Sequence, residues 1–139
     1  MWHKSMRMSE AIVIEDFDIR AVILNISRQY EPGLEPDQLY ERTRGYWVMQ
    51  PHDHSEAEFA IAIANRVIRE VYRISDWTRQ LASEIKPNPL RRLDPTSRVG
   101  LSSYRWSFTG VPASEEIRKK YIGREIKSQA QNPVRWVNC

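Results

Sequence analysis

Arginine stands beside flat aromatic side chains at three places in this chain: Arg44-Gly45-Tyr46-Trp47, Tyr104-Arg105-Trp106 and Arg135-Trp136. Aromatic faces stack on unpaired bases while guanidinium groups hold a phosphate or a base edge, the usual way of reading single-stranded or flipped nucleotides. The competing explanation is that the tryptophans form the core of a small barrel, which must hold for some of the five. Other chemistry has less support. In His52-Asp53-His54 an extended backbone would set both imidazoles on one side, with Glu56 close by. Zinc needs a third ligand of defined position, so a polar surface loop is the better reading. Asp16 and Asp18 are of a type that holds Mg²⁺ in nucleases, yet a turn explains them at lower cost. A Gly-rich phosphate loop, G-x-S-x-G and H-E-x-x-H are all missing from the sequence. Cys139 has no neighbouring histidine and is a poor nucleophile candidate. No metal, cofactor or catalytic residue is assigned.

The elements that position these residues come from a chain of 139 residues, the length of one domain. A hydrophobic content of 41% with 28% charge suits a globular protein. The single cysteine excludes an intramolecular disulfide, so a cytoplasmic setting is expected. No apolar run has the length of a membrane span and the first residues lack a signal-peptide pattern, so no membrane partner is expected. Residues 1–10 read as a flexible tail and 11–139 as the folded domain. Residues 1 to 60 hold 6 Lys and Arg against 11 Asp and Glu, while the remainder holds 15 against 7. That asymmetry gives either one basic surface for a polyanion or a solvated basic helix face.

Arg20–Ile26 is β-branched and reads as a buried strand. Pro36–Arg44 reads as a helix, with Gly45 ending it in a left-handed conformation. Tyr46–Met49 is a strand and Gln50–Glu56 a polar loop. Glu58–Ile74 reads as a hairpin turning at Asn65-Arg66, apolar on both faces and therefore central. Its first strand sets Phe59, Ile61 and Ile63 against Ala60, Ala62 and Ala64. The small face admits either close packing, the commoner case, or a ligand. On the second strand Ile68, Glu70, Tyr72 and Ile74 share a face, and a buried Glu70 needs an arginine or a ligand donor. Ser75 is placed to cap a helix over Asp76–Lys86, with Trp77, Leu81 and Ile85 on one side. Tyr104–Thr109 is a strand, Ser114 caps a second basic helix ending near Gly123, and Val134–Asn138 is a last strand.

In that order the blocks YWVM, FAIAIANRVIREVYRI, YRWSFTG and AQNPVRWVNC resemble an uncharacterised bacterial and phage domain family, found alone or fused to GIY-YIG nuclease domains. The resemblance covers roughly residues 20 to 139 and brings no catalytic residues with it. A hairpin followed by a tryptophan is also similar to the PUA-like group, including EVE and ASCH domains, which implies a small barrel that binds RNA or modified bases. The expected fold is thus α+β, a small twisted, mostly antiparallel PUA-like β-barrel with two or three flanking helices. The expected function is binding of nucleic acid, RNA or DNA, or a nucleotide-like ligand, without catalysis. Trp47, Trp77, Trp106 and Tyr72 are the candidate pocket walls, Arg44, Asn132 and Arg135 the polar readers, and Lys119, Lys120 and Arg124 the backbone contacts. The alternatives are a phage or defence-related module that binds a nuclease or another protein partner and, last, a hydrolase using Asp16, Asp18 or Glu70.

Overall fold

Ala21–Asn25 forms strand β1, and its first four residues are buried on both faces, so it has to lie inside a sheet that is covered on both sides. The computed structural model describes residues 11–13, 16–81, 104–127 and 133–139. After β1 the chain forms helix α1 (Pro36–Arg44) and a short 3-10 helix (Pro51–His54) before returning as β2 (Phe59–Ala64), parallel to β1. A parallel neighbour requires such a crossover. β3 (Val67–Leu81), β4 (Tyr104–Pro112), helix α2 (Glu115–Tyr121) and β5 (Val134–Val137) complete the order. The sheet runs β4-β3-β2-β1-β5, antiparallel at every pair except β1 with β2. The fold is α+β: among the described residues, a five-stranded mixed and mostly antiparallel sheet with two α-helices. The expected closure into a barrel is not met: β4 and β5 are the two ends of the sheet order and do not pair. The expected tail, residues 1–10, lies outside the described residues.

Each face of the sheet has its own core. On the aliphatic face Ala21, Ile23, Phe59, Ile61, Ile68, Val71 and Val137 pack with Ile12, Phe17, Tyr121 and Ile126, so α2 covers this side. On the aromatic face Val22, Leu24, Ala60, Ala62 and Ala64 pack with Trp47, Met49, Tyr72 and Phe108, with Leu39 and Tyr40 of α1 against them. The three alanines are fully buried, so close packing rather than a ligand fills the space above them. Trp77 of β3 and Trp136 of β5 have ring centroids 6.3 Å apart. Their strands are separated by β2 and β1, about 14 Å in a flat sheet. The sheet therefore curls towards the aromatic face, and the alanines leave room for the large rings that meet there.

Two bulges set which side chains reach which face. The register shifts between Ala62 and Ile63, where Ala62 faces Glu70 but Ile63 faces Ile68. One extra residue in β3 reverses the alternation. Ile68 thus joins Val71 on the aliphatic face while Tyr72 and Ile74 stay on the other, which corrects the expected set Ile68, Glu70, Tyr72 and Ile74. Buried Glu70 meets Arg118 of α2, whose Nε and Nη2 donate to its two carboxylate oxygens at 2.8 and 3.1 Å. The fork satisfies both oxygens and ties α2 to β3.

The second shift, between Ile74 and Asp76, lies in a segment expected to be helical. β3 instead continues to Leu81, pairing Trp77 with Phe108, Arg79 with Trp106 and Leu81 with Tyr104. A spacing of four is a multiple of the strand period as well as near one helical turn, so Trp77 and Leu81 suit either element. The long antiparallel partner decided for the strand. Ser75, expected as a cap, donates through Oγ to the Thr109 carbonyl at 2.8 Å. Gly45 is extended, with φ −152°, and not left-handed as expected. It is small because a Cβ there would fall 2.4 Å from Ser107 Oγ of β4.

The hairpin turns at Asn65 and Arg66 with φ of 52° and 70°, both in the left-handed region of a type I′ turn. Arg66 takes that conformation against its own Cβ. Arg66→Gly should therefore raise the unfolding free energy by about 1 kcal/mol, read as a higher denaturant midpoint at unchanged slope. An unchanged or lower midpoint would contradict the strain.

Tyr121 is buried, stacks on Phe17 at 5.1 Å and donates to the Asp18 carboxylate, which also pairs with Lys120. Burial first, then the bond to Asp18, pushes its phenol up from the ordinary 10.0 to about 12. Burial also pushes up Tyr72, whose hydroxyl has no hydrogen-bond partner of good geometry although Thr43 lies nearby. Both phenols ionise more readily unfolded than folded, so their stabilisation is complete below pH 10 and is lost as the pH rises towards 12. Unfolding free energy should fall across that window, and phenolate absorbance from these two of the six tyrosines should appear only as the fold is lost. Six phenols ionising reversibly near pH 10 in an intact fold would contradict it.

Candidate functional site: a groove beside the β3–β4 ribbon

Beyond the Ile74–Asp76 bulge, β3 and β4 continue as a two-stranded ribbon, and alternation turns Trp77, Arg79, Tyr104, Trp106 and Phe108 to the aromatic face. The chain leaving α1 runs along the far side of β4. Trp47 and Trp106 exchange backbone hydrogen bonds in both directions at 2.8 Å. That single bridge is what remains of the strand expected over Tyr46–Met49. Between the segment and the ribbon lies a groove of about 340 Å³, lined by Val48, Met49, Gln50 and His52 on one wall and Arg79, Tyr104 and Trp106 on the other. One wall brings an amide and an imidazole, the other aromatic rings and a guanidinium.

Arg79 is the distinctive member. Five cations elsewhere are committed to acids: Arg20 to Glu58, Arg42 to Glu31, Arg44 to Glu41, Arg118 to Glu70 and Lys120 to Asp18. Arg79 lies 4.2 Å over the Tyr104 ring and has no carboxylate or other hydrogen-bond partner among the described residues. The Gln50 side-chain amide likewise has none among them, and none of the described residues lining the groove is an acid. His52 Nε2 lies 3.4 Å from Asp53, outside the lining. A cation that keeps its N–H edges unspent beside an aromatic surface is suited to an anionic, planar ligand.

No protein-family model, no curated protein and no solved structure matches the chain. Any function has to be argued from the groove.

The residues singled out in the sequence divide sharply. Trp47, Trp77, Trp106 and Tyr72 do share one face, but three of them fill it. Trp47 is buried, and its Nε1 donates to the Thr43 carbonyl at 2.7 Å, satisfying an acceptor at the end of α1. Tyr72, 2% exposed, packs between Tyr40 and Phe108. Trp77 meets Phe108 edge-on at 5.9 Å. Only Trp106 lines the groove. Arg44 is structural, its Nε donating to the Phe108 carbonyl at 3.2 Å. Arg135 lies opposite Ile23, which turns it to the aliphatic face, away from Trp136. Asn132 lies outside the described residues. Lys119 and Lys120 are exposed on α2, and Arg124 just beyond it is half-buried, so the expected backbone contacts stand on the opposite side of the sheet from Trp106.

The other chemistry considered is not assembled. His52 and His54 lie in a 3-10 helix, where neighbours two apart point in different directions. His54 stacks on Trp136 at 4.2 Å with Nδ1 3.1 Å from the Cys139 carbonyl, while His52 turns to the groove. Among the described residues no group of three His, Cys, Asp or Glu is placed to hold a metal. Asp18 and Glu70 are each occupied by a cation.

Arg79 and Gln50 were missed in the sequence, and His52 was considered there only as a metal ligand. Reading residues 76–81 as strand would have placed Arg79 on the face of Trp106 and Tyr104; nothing local marks Gln50. The division of the tryptophans is open to test by conservative substitution. Trp47→Phe should cost about 1–3 kcal/mol of stability, because it strands a buried carbonyl and loosens the core, whereas Trp106→Phe should cost less than about 1. Chemical denaturation of both variants measures the difference, and equal costs would remove the distinction.

Proposed function

We propose that this protein is a nucleic-acid-binding module that takes an unpaired or flipped base in the groove, with no catalysis of its own. The observation that carries this reading is Arg79, a cation without an acid partner among the described residues, set over Tyr104 and paired across the ribbon with Trp106. Trp106 offers a face for stacking, Arg79 N–H donors for phosphate, and Gln50 with His52 donors and acceptors for a base edge. The curled sheet with helices on both faces is compatible with a PUA-like ancestry, in which the segment from Trp47 to His54 does part of the closing that a barrel strand would do.

A second reading, a protein-interaction module, draws on the groove's rim, where Val48 is 63% and Tyr104 44% exposed. The two differ in their response to salt. Titration of single-stranded RNA and DNA oligonucleotides, followed by tryptophan fluorescence, should show binding that weakens steeply with salt. Arg79→Gln and Trp106→Ala should each reduce it about 5- to 100-fold with the fold intact. Binding unaffected by both substitutions, or insensitive to salt, would remove the nucleic-acid reading.

A further inference from the structure

We infer that the groove accepts one nucleotide at a time, a free nucleoside monophosphate or the phosphorylated end of a strand, and not an extended strand. This rests on the reading of the groove as a nucleotide site. Three observations limit the ligand to one unit.

The first is size. A cavity of about 340 Å³ is at the small end of those that take a single small molecule. Sequence-tolerant strand binders instead hold roughly 4 to 16 nucleotides along a groove. The second is the number of aromatic faces. Such binders stack successive bases on successive rings, and here Tyr104 already carries Arg79 on its ring, which leaves Trp106, among the described lining residues, for one base. Trp47, Tyr72 and Phe108 are buried in the core. The third is charge. A strand leaving the groove needs a continuous basic track, and among the described residues Lys119 and Lys120 of α2 stand across the sheet from it, with Lys120 paired with Asp18. The guanidinium of Arg79 is therefore matched to one phosphate beside one base. A terminal phosphate monoester carries more charge than an internal diester, so the site favours an end or a free monophosphate.

The test uses the full chain and isothermal titration with nucleoside monophosphates, the matching nucleosides, and an octanucleotide with and without a terminal phosphate. The monophosphate, or the phosphorylated octanucleotide, should bind one to one, and at least about tenfold more tightly than the form without that phosphate. Arg79→Gln should abolish this preference while leaving the circular dichroism spectrum unchanged. Binding of the monophosphate alone identifies a free nucleotide as the ligand, and binding of the phosphorylated octanucleotide alone a strand end; either supports the inference. An octanucleotide that binds about 100-fold tighter than the monophosphate whether or not it is phosphorylated overturns the single-unit site but leaves nucleic-acid binding standing. Failure of every probe to bind overturns both.

Discussion

The fold depends on three small side chains in the middle of its sheet. Ala60, Ala62 and Ala64 lie on the aromatic face of β2, the central strand, with no exposure. A larger side chain at any of them would enter space held by Tyr72, Phe108, Trp47 and the inner side of α1. Because that row is low, the sheet curls over it and brings rings from β3 and β5 together across two intervening strands. Tyr40 of α1 sits on the same cluster, 5.4 Å from the Tyr72 ring, and its hydroxyl accepts the Gly110 N–H at 3.0 Å. The helix that connects the two parallel strands is thereby fixed to β3 and β4 as well. Curvature, helix docking and the course of the chain after Gly45 all follow from the size of three methyl groups.

Two-sided burial also sorts the charges. The aliphatic face is held at its border by ion pairs that join distant parts of the sequence: Glu70 with Arg118, and Asp18 with Lys120 and Tyr121. The Lys120 and Tyr121 bonds hold the Asp18 carboxyl below its ordinary range. A buried ion such as Glu70 needs a partner, and ions paired in this way have little left for a ligand. Among the described residues the cations of the second half therefore do not all share one face of the sheet. Part of its charge is spent on structure behind the sheet, while Arg79, which has no acid partner among the described residues, lies in front of it.

The strands that carry apolar residues on both faces were legible because β-branched runs bounded by turn residues leave few alternatives. Ala21–Asn25, the hairpin with its turn at Asn65-Arg66, the helix from Pro36, and the capped helix after Ser114 all form where the sequence places them. What failed depended on contacts between remote segments. The strand through Trp77 and Arg79 exists because β4 pairs with it over nine residues, and a spacing of four does not reveal such a partner. Bulges likewise leave no mark in the sequence: Ile68 changes face only because the ladder shifts at Ala62. The arginine–aromatic pairs were visible as composition, yet burial decided their roles. Trp47 went to a helix terminus, Arg44 to a backbone carbonyl, and Trp106 to the groove.

The groove is also built so that its shape is set before any ligand arrives. Its wall of Gln50 and His52 belongs to a segment without regular strand structure, which alone would be mobile. That segment is fixed at both ends. At one, Trp47 is locked by two backbone bonds to Trp106 and by its indole to the Thr43 carbonyl. At the other, His54 is stacked flat on Trp136 of β5. The anchors lie on opposite ends of the sheet order, so the segment spans the curled face and its position follows the curvature set by the alanine row. Pro51, buried between the anchors, restricts the backbone further. A wall ordered in advance costs no further entropy when the groove is filled, so its shape is a property of the fold itself.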